Sequence, residues 1–292
     1  MRDRVCRLLG GLLAITISLT APAAALTDAP LHVERAGESS HLVVFLPGLN
    51  SAGSLWQPWA TGLADSHRVL TVTMAGFAGT NPAGLSEQFY DRLIPALQDL
   101  LAEEGAQDAT LVGHSLGGLA ALMLARAEPD RVGSVLVVDS LPYLAAIMLP
   151  GLPPDQAAGQ AKALGERMKA QRREDWIAQT KAGLGRQSKT AAFKDTLAAW
   201  TEAADQATVA QALQETLAMD YRPQLADIAQ PVTILVPWDP AMGAPRSLIE
   251  ALYRSQYASL PRGEIRMIDN SFHFIMIDRP DAFSAALTEV LQ

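Results

Sequence analysis

A mostly parallel α/β fold follows from three features of the 292-residue sequence. Short β-branched runs alternate with longer stretches of helical period, the signature of a sheet covered by helices. Nearly every run is apolar at consecutive positions, as a strand buried on both faces requires. One long interval, about 140 to 220, holds helical stretches and no strand; it reads as an insertion, because a structureless loop of that length is improbable in a compact domain. The 49% hydrophobic content suffices for one large domain carrying such an insertion.

The chain begins with Arg2, Arg4 and Arg7 ahead of an apolar run over 8–19, then the small residues Ala23, Ala24 and Ala25. That layout predicts a secretory signal peptide over 1–25, and the run is shorter than the about 20 residues a membrane-spanning helix needs. The single cysteine, Cys6, falls inside it. The mature chain is therefore expected to lack disulfides, cysteine metal sites and any stable membrane span. An exported protein, periplasmic or secreted, is the expectation. A net charge of -8 with no Lys/Arg stripe argues against a nucleic-acid partner.

Strands are expected at 42–46, 69–73, 110–112, 135–138, 233–236 and 265–268, with a further candidate at 31–34. Helices are expected near 51–64, 86–104, 116–127 and 280–291, and Pro95 should kink the second or mark its start. Inside the insertion the helical stretches are 155–171, 175–181, 190–203 and 207–218. The resulting division is a core of 26–140 and 221–292 and a helical cap of 141–220.

The chemistry centres on Gly113-His114-Ser115-Leu116-Gly117, which fits G-x-S-x-G where a strand ends and a helix begins. A turn that sharp leaves room only for small side chains two residues either side of the serine. Leu116 then offers its backbone N–H at a helix N-terminus, where a developing negative charge is favoured. The loop Phe45-Leu46-Pro47-Gly48-Leu49 could aim the N–H of Leu49 at the same point. A serine hydroxyl needs a base beside it. Of the five histidines, His273 lies between the last strand and the last helix, on the edge where Ser115 is presented. His114 is expected to point away, into packing beneath the sheet. The base needs an orienting carboxylate, and two aspartates end apolar strands, Asp139 and Asp239. Asp239, in the tight turn Pro237-Trp238-Asp239-Pro240, is preferred, with Asp139 the alternative. Met148, Leu149, Trp176 and Trp200 are candidates for an apolar acyl pocket or for the cap's own core.

The sequence resembles the α/β-hydrolase superfamily over most of 42–292 outside the insertion. Residues 113–118 match Gly-His-Ser-x-Gly-Gly in full; Pro47-Gly48 with Trp56, Pro231 leading to Asp239, and His273 with Pro280 are similar to further family features. Pro47 stands where the family usually has histidine. The resemblance implies a Ser115-Asp239-His273 triad, an oxyanion hole from Leu49 and Leu116, an eight-stranded sheet and a helical cap. It implies a serine hydrolase that cleaves a carboxylic ester or related acyl bond in a small molecule, with no metal or organic cofactor. Family alternatives are an acyltransferase, a cofactor-free peroxidase or a non-catalytic binding member.

Overall fold

The computed structural model describes residues 29–84 and 88–292; the expected signal peptide, with Cys6, lies outside the described residues. Seven strands form one sheet: β1 (Leu31–Ala36), β2 (Leu42–Leu46), β3 (Arg68–Met74), β4 (Ala109–His114), β5 (Val132–Val138), β6 (Val232–Trp238) and β7 (Gly263–Asp269). Their spatial order is β1-β3-β2-β4-β5-β6-β7. β1 pairs antiparallel with β3, and every other pair is parallel. Residues 42–46 and 109–114 are buried throughout, which is why those strands read as unbroken apolar runs.

The sheet has one strand fewer, among the described residues, than the eight that the resemblance implies. β1 forms its edge and exposes the charged Glu34 and Arg35, a device that discourages further pairing.

The helices are α1 (Gln57–Leu63), α2 (Phe89–Glu103), α3 (Leu116–Ala127), α4 (Ala145–Met148), α5 (Pro154–Ala170), α6 (Arg173–Gly183), α7 (Ala191–Ala203), α8 (Gln206–Ala218), α9 (Arg246–Gln256), α10 (Ile275–Asp278) and α11 (Pro280–Val290). α4 to α8 all fall between β5 and β6. Pro95 neither starts nor ends α2, which runs through it at the loss of one backbone hydrogen bond. α9, between β6 and β7, is a helix that the sequence reading omits.

Two apolar clusters cover the two faces of the sheet. One gathers Leu93, Leu97 and Leu101 of α2 with Leu119 and Leu122 of α3 against the strand residues Val44, Leu111 and Val137. The other packs Trp56, Phe283 and Ile275 against Phe45, Val112 and Leu136. Trp56 is fully buried and stacks on Phe45 at 5.1 Å between ring centroids. Val43 to Leu46 supply alternate residues to the two clusters, so β2 and the loop after it are fixed from both sides.

Candidate active site

Ser115 follows β4 directly with φ 52° and ψ −120°, a conformation costly for any residue with a side chain. Its surroundings impose it. A Cβ at Gly113 would stand 2.3 Å from the carbonyl oxygen of Gly117, and one at Gly117 would stand 2.4 Å from that of Leu46. The Ser115 N–H donates to Val138 O at 3.0 Å, and its own carbonyl accepts from Gly118 N–H at 2.9 Å. The strand-helix junction is thus tied to β5 and to α3 at once.

Leu116 opens α3, so its N–H has no acceptor within the helix. Gly48 lies against the same turn: a Cβ there would stand 3.1 Å from the Cβ of Ser115 and 2.8 Å from Nδ1 of His114. Leu49, Leu116, Ser115 and His273 all border one cavity.

His273 sits after β7, and its Nδ1 lies 2.6 Å from Oδ2 of Asp139. A carboxylate only accepts, so Nδ1 carries the proton and neutral His273 keeps a lone pair at Nε2. Asp139 ends β5, the direct neighbour of Ser115's strand, and turns with φ 43°. Its other oxygen accepts from the hydroxyl of Tyr253 on α9. Burial, and secondarily the Asp139 charge, push that phenol well above its ordinary range, so it stays a donor.

Asp239 takes a different place from the one the sequence suggested. Its carboxylate binds the ammonium of Lys189, from the segment before α7, and accepts from Ala241 N–H at 2.8 Å. The Lys189 hydrogen bond comes first among the causes that hold its carboxyl below the usual range. The physical reason is topological: β6 lies one strand further from β4 than β5 does, and the inserted Lys189 meets the carboxylate that ends it. The acid at the histidine is Asp139.

His114 also departs from expectation. Its ring packs on that of His273 at 4.4 Å and on Phe274 at 4.5 Å. Its Nε2 lies 3.0 Å from the carbonyl oxygen of His273; a carbonyl only accepts, so Nε2–H donates. Burial, then the neighbouring His273, holds His114 well below the ordinary histidine range, in its neutral form.

Two cavities meet at Ser115. A smaller one, about 120 Å³, runs behind it past Leu119, Leu141, Leu144, Ile147 and Tyr253. A larger one, about 260 Å³, lies under α6 and α7 and is bordered by Asn50, Trp176, Gln187, Thr201 and Phe274. Leu213 of α8 borders both. Of the four residues that the sequence offered for an acyl pocket or for the cap's own core, Trp176 alone borders a cavity at Ser115. Met148 is 54% exposed, Leu149 packs beside Tyr143, and Trp200 packs beside Phe193.

The segment before α7 is clasped to the core beside His273. Ser188 Oγ donates to Asp278 at 2.7 Å, as does Lys189 N–H at 2.9 Å, and Phe274 N–H donates to Gln187 O at 3.0 Å. Asp278 also accepts from Phe272 N–H at 2.9 Å.

With a strained serine at a strand-helix elbow and a histidine-carboxylate pair on one cavity, the chain has the features of a hydrolase of α/β type. It belongs to the alpha/beta hydrolase family, whose model matches residues 43–286. It is similar to proteins named putative carbamate hydrolase RutD. The Variovorax paradoxus protein is 38% identical over 116 residues, 36% of this chain and 41% of that protein. The Serratia proteamaculans protein is 28% identical over 254 residues, 84% of this chain and 88% of that protein. The chain thus spans about two fifths of the length of the first of these relatives. Among solved structures, MenH from S. aureus superposes with a TM-score of 0.74 at 18% identity, covering 89% of this chain and 97% of that one. Among the described residues, no helix is long and apolar enough to cross a membrane.

Proposed function

We propose that the protein is a serine hydrolase that cleaves a carboxylic ester or a related acyl bond of a small molecule. The contact that carries this reading is Asp139 Oδ2 to His273 Nδ1, 2.6 Å, with His273 and Ser115 on the same cavity. In the reaction, Nε2 of His273 takes the proton of Ser115 Oγ as that oxygen attacks the carbonyl carbon. The carbonyl oxygen becomes an oxyanion held by the N–H groups of Leu49 and Leu116. The intermediate collapses; the leaving group departs with the proton from Nε2 and leaves Ser115 acylated. A water, deprotonated by the same nitrogen, releases the acid and restores the serine. Asp139 keeps Nδ1 protonated and balances the imidazolium. Carbamates pass through a tetrahedral intermediate of the same kind, so the names of the relatives accord with this chemistry.

The test is labelling with a p-nitrophenyl alkylphosphonate. One phosphonyl group should attach at Ser115, and Ser115→Ala should abolish both labelling and ester turnover, a loss on the order of 10⁶-fold. Turnover retained in that variant would refute the assignment. Residues 1–25 add the proposal of export, which N-terminal sequencing of the mature protein, expected to begin at Leu26, would check.

A further inference from the structure

The two cavities at Ser115 differ in size and lining, and the difference specifies a substrate more narrowly than the catalytic groups do. The smaller cavity, about 120 Å³, is walled by Leu116, Leu119, Leu141, Leu144, Ile147 and Leu213. Two of its polar groups are already engaged. The Tyr253 hydroxyl donates to Asp139, and Thr216 Oγ1 donates to Ala212 O at 2.7 Å while it bonds to the Tyr90 hydroxyl at 2.8 Å. A wholly apolar cavity of about 150 Å³ holds a benzene ring; this one shares its wall with Ser115, Ser140 and His273, so its volume of about 120 Å³ takes a group of roughly four carbons.

The larger cavity has about twice the volume and a mixed wall. Trp176, Leu184, Leu197 and Phe274 supply apolar surface, and Asn50, Thr180, Gln187 and Thr201 supply neutral polar groups. Met168, Trp176, Thr180 and Leu213 continue it into a cleft of about 830 Å³ beside α5 and α6, where Arg167 is the first charged side chain on the wall. Its wall therefore accepts a longer group and lets it extend outward. Among the described residues, neither cavity at Ser115 is bordered by lysine, arginine or glutamate, and the one aspartate, Asp139, is held by His273 and Tyr253. An ionised group brought into either would lose its hydration without gaining a counter-ion, which is costly.

We infer that the substrate is an uncharged acyl compound with two unequal arms. One is an apolar arm of about four carbons, which fills the cavity behind Ser115. The other is a larger neutral arm, tolerant of hydroxyl and amide groups, which lies under α6 and α7. This rests on the serine hydrolase reading above.

Two ester series read the arms separately. In one, the acyl chain of p-nitrophenyl esters grows from two carbons to twelve; in the other, a butyryl group is kept and the alcohol grows. One series should peak near four carbons and lose at least about tenfold in kcat/KM for each carbon or two beyond the filled length. The other should stay within about tenfold across its range. A carboxylate or ammonium placed on either arm close enough to the carbonyl to lie within these two cavities should cost more than about 100-fold relative to its neutral isostere. Ile147→Trp, at the 46%-exposed rim of the smaller cavity, should shorten the optimum of the restricted series by one to two carbons and leave the length dependence of the tolerant one unchanged. Equal tolerance of eight carbons on both sides, or preference for a charged arm, would overturn the inference while phosphonate labelling of Ser115 still upheld the hydrolase. If wild type neither took the phosphonate nor turned over any ester, the hydrolase reading would fall and this inference with it.

Discussion

Asp139 and Asp239 end neighbouring parallel strands, each after a buried apolar run, and both stand at the same edge of the sheet. Asp139 turns through a left-handed backbone conformation, φ 43°, and meets His273 and Tyr253. Asp239 keeps an extended backbone, caps the short turn after it, and meets Lys189 from the insertion. One carboxylate is brought to the histidine by the sheet, because β5 adjoins the strand that carries Ser115, and Tyr253 of α9 holds its other oxygen. The other is satisfied by a residue that exists only because the chain carries an insertion. Position at a strand end makes a carboxylate available, and its partner decides what it does.

Exchanging each acid for its amide should separate the two roles. Asp139→Asn leaves the shape intact but can no longer hold Nδ1 protonated against a full charge; kcat should fall by about 10⁴-fold. Asp239→Asn should change kcat by less than about tenfold, since its loss touches the clasp and not the base. Steady-state kinetics on a butyrate ester checks both, and the reverse ranking would return the orienting role to Asp239.

The Asp139 side of the comparison extends to His114, which donates to the carbonyl of His273 while its other edge abuts Gly48. His114→Phe keeps a ring against His273 and Phe274 but removes the donor. Displacement of the base by a fraction of an ångström should lower kcat by on the order of 10- to 100-fold with KM little changed. His114→Gln, which can donate to the same carbonyl, should recover most of that loss. A rise in KM alone, with no recovery in the glutamine variant, would make the residue mere packing.

The sheet was legible because strands buried on both faces have nowhere to put a polar side chain, so 42–46 and 110–112 announce themselves. The elbow was legible because Gly113 and Gly117 are demanded by backbone contacts nearer than any Cβ allows. The acid was not, because nothing local distinguishes Asp139 from Asp239; the distinction lies in strand adjacency and in Lys189, fifty residues from Asp239 in sequence. The place of His114 escapes the sequence for a similar reason: its hydrogen-bond partner is the carbonyl of His273. The cavity walls were the least legible part, since Leu144, Ile147 and Leu213 are apolar positions that look alike whether they face a core or a void.

Removal of the Lys189 ammonium addresses the Asp239 side. Lys189→Met should release the 187–190 segment from one of its anchors while Asp278 and the Phe274–Gln187 hydrogen bond still hold it, so KM for esters with a large arm should rise about two- to fivefold with kcat nearly unchanged. Limited proteolysis of that segment should quicken in parallel. A change in kcat with no change in KM would place Lys189 in the chemistry instead.

The pH dependence of that clasp gives the smallest effect and the sharpest sign. Lys189 depresses the carboxyl of Asp239 in the folded chain, so folding with the clasp closed disfavours proton uptake there. The stabilisation is complete above the ordinary carboxylate range, about 3.9, and is lost as pH falls through the lowered folded value. Wild type and Lys189→Met should therefore differ in Tm by a constant amount from neutral pH to about pH 5. The two curves should converge in more acidic solution, where Asp239 takes up its proton. His114, buried in its neutral form, weakens both proteins alike once pH drops below the ordinary histidine range, so the difference between the curves isolates Asp239. A gap that closed near the histidine value of about 6.5 instead would mean that Lys189 acts through the histidines, and the separation of the two aspartates into independent roles would fail.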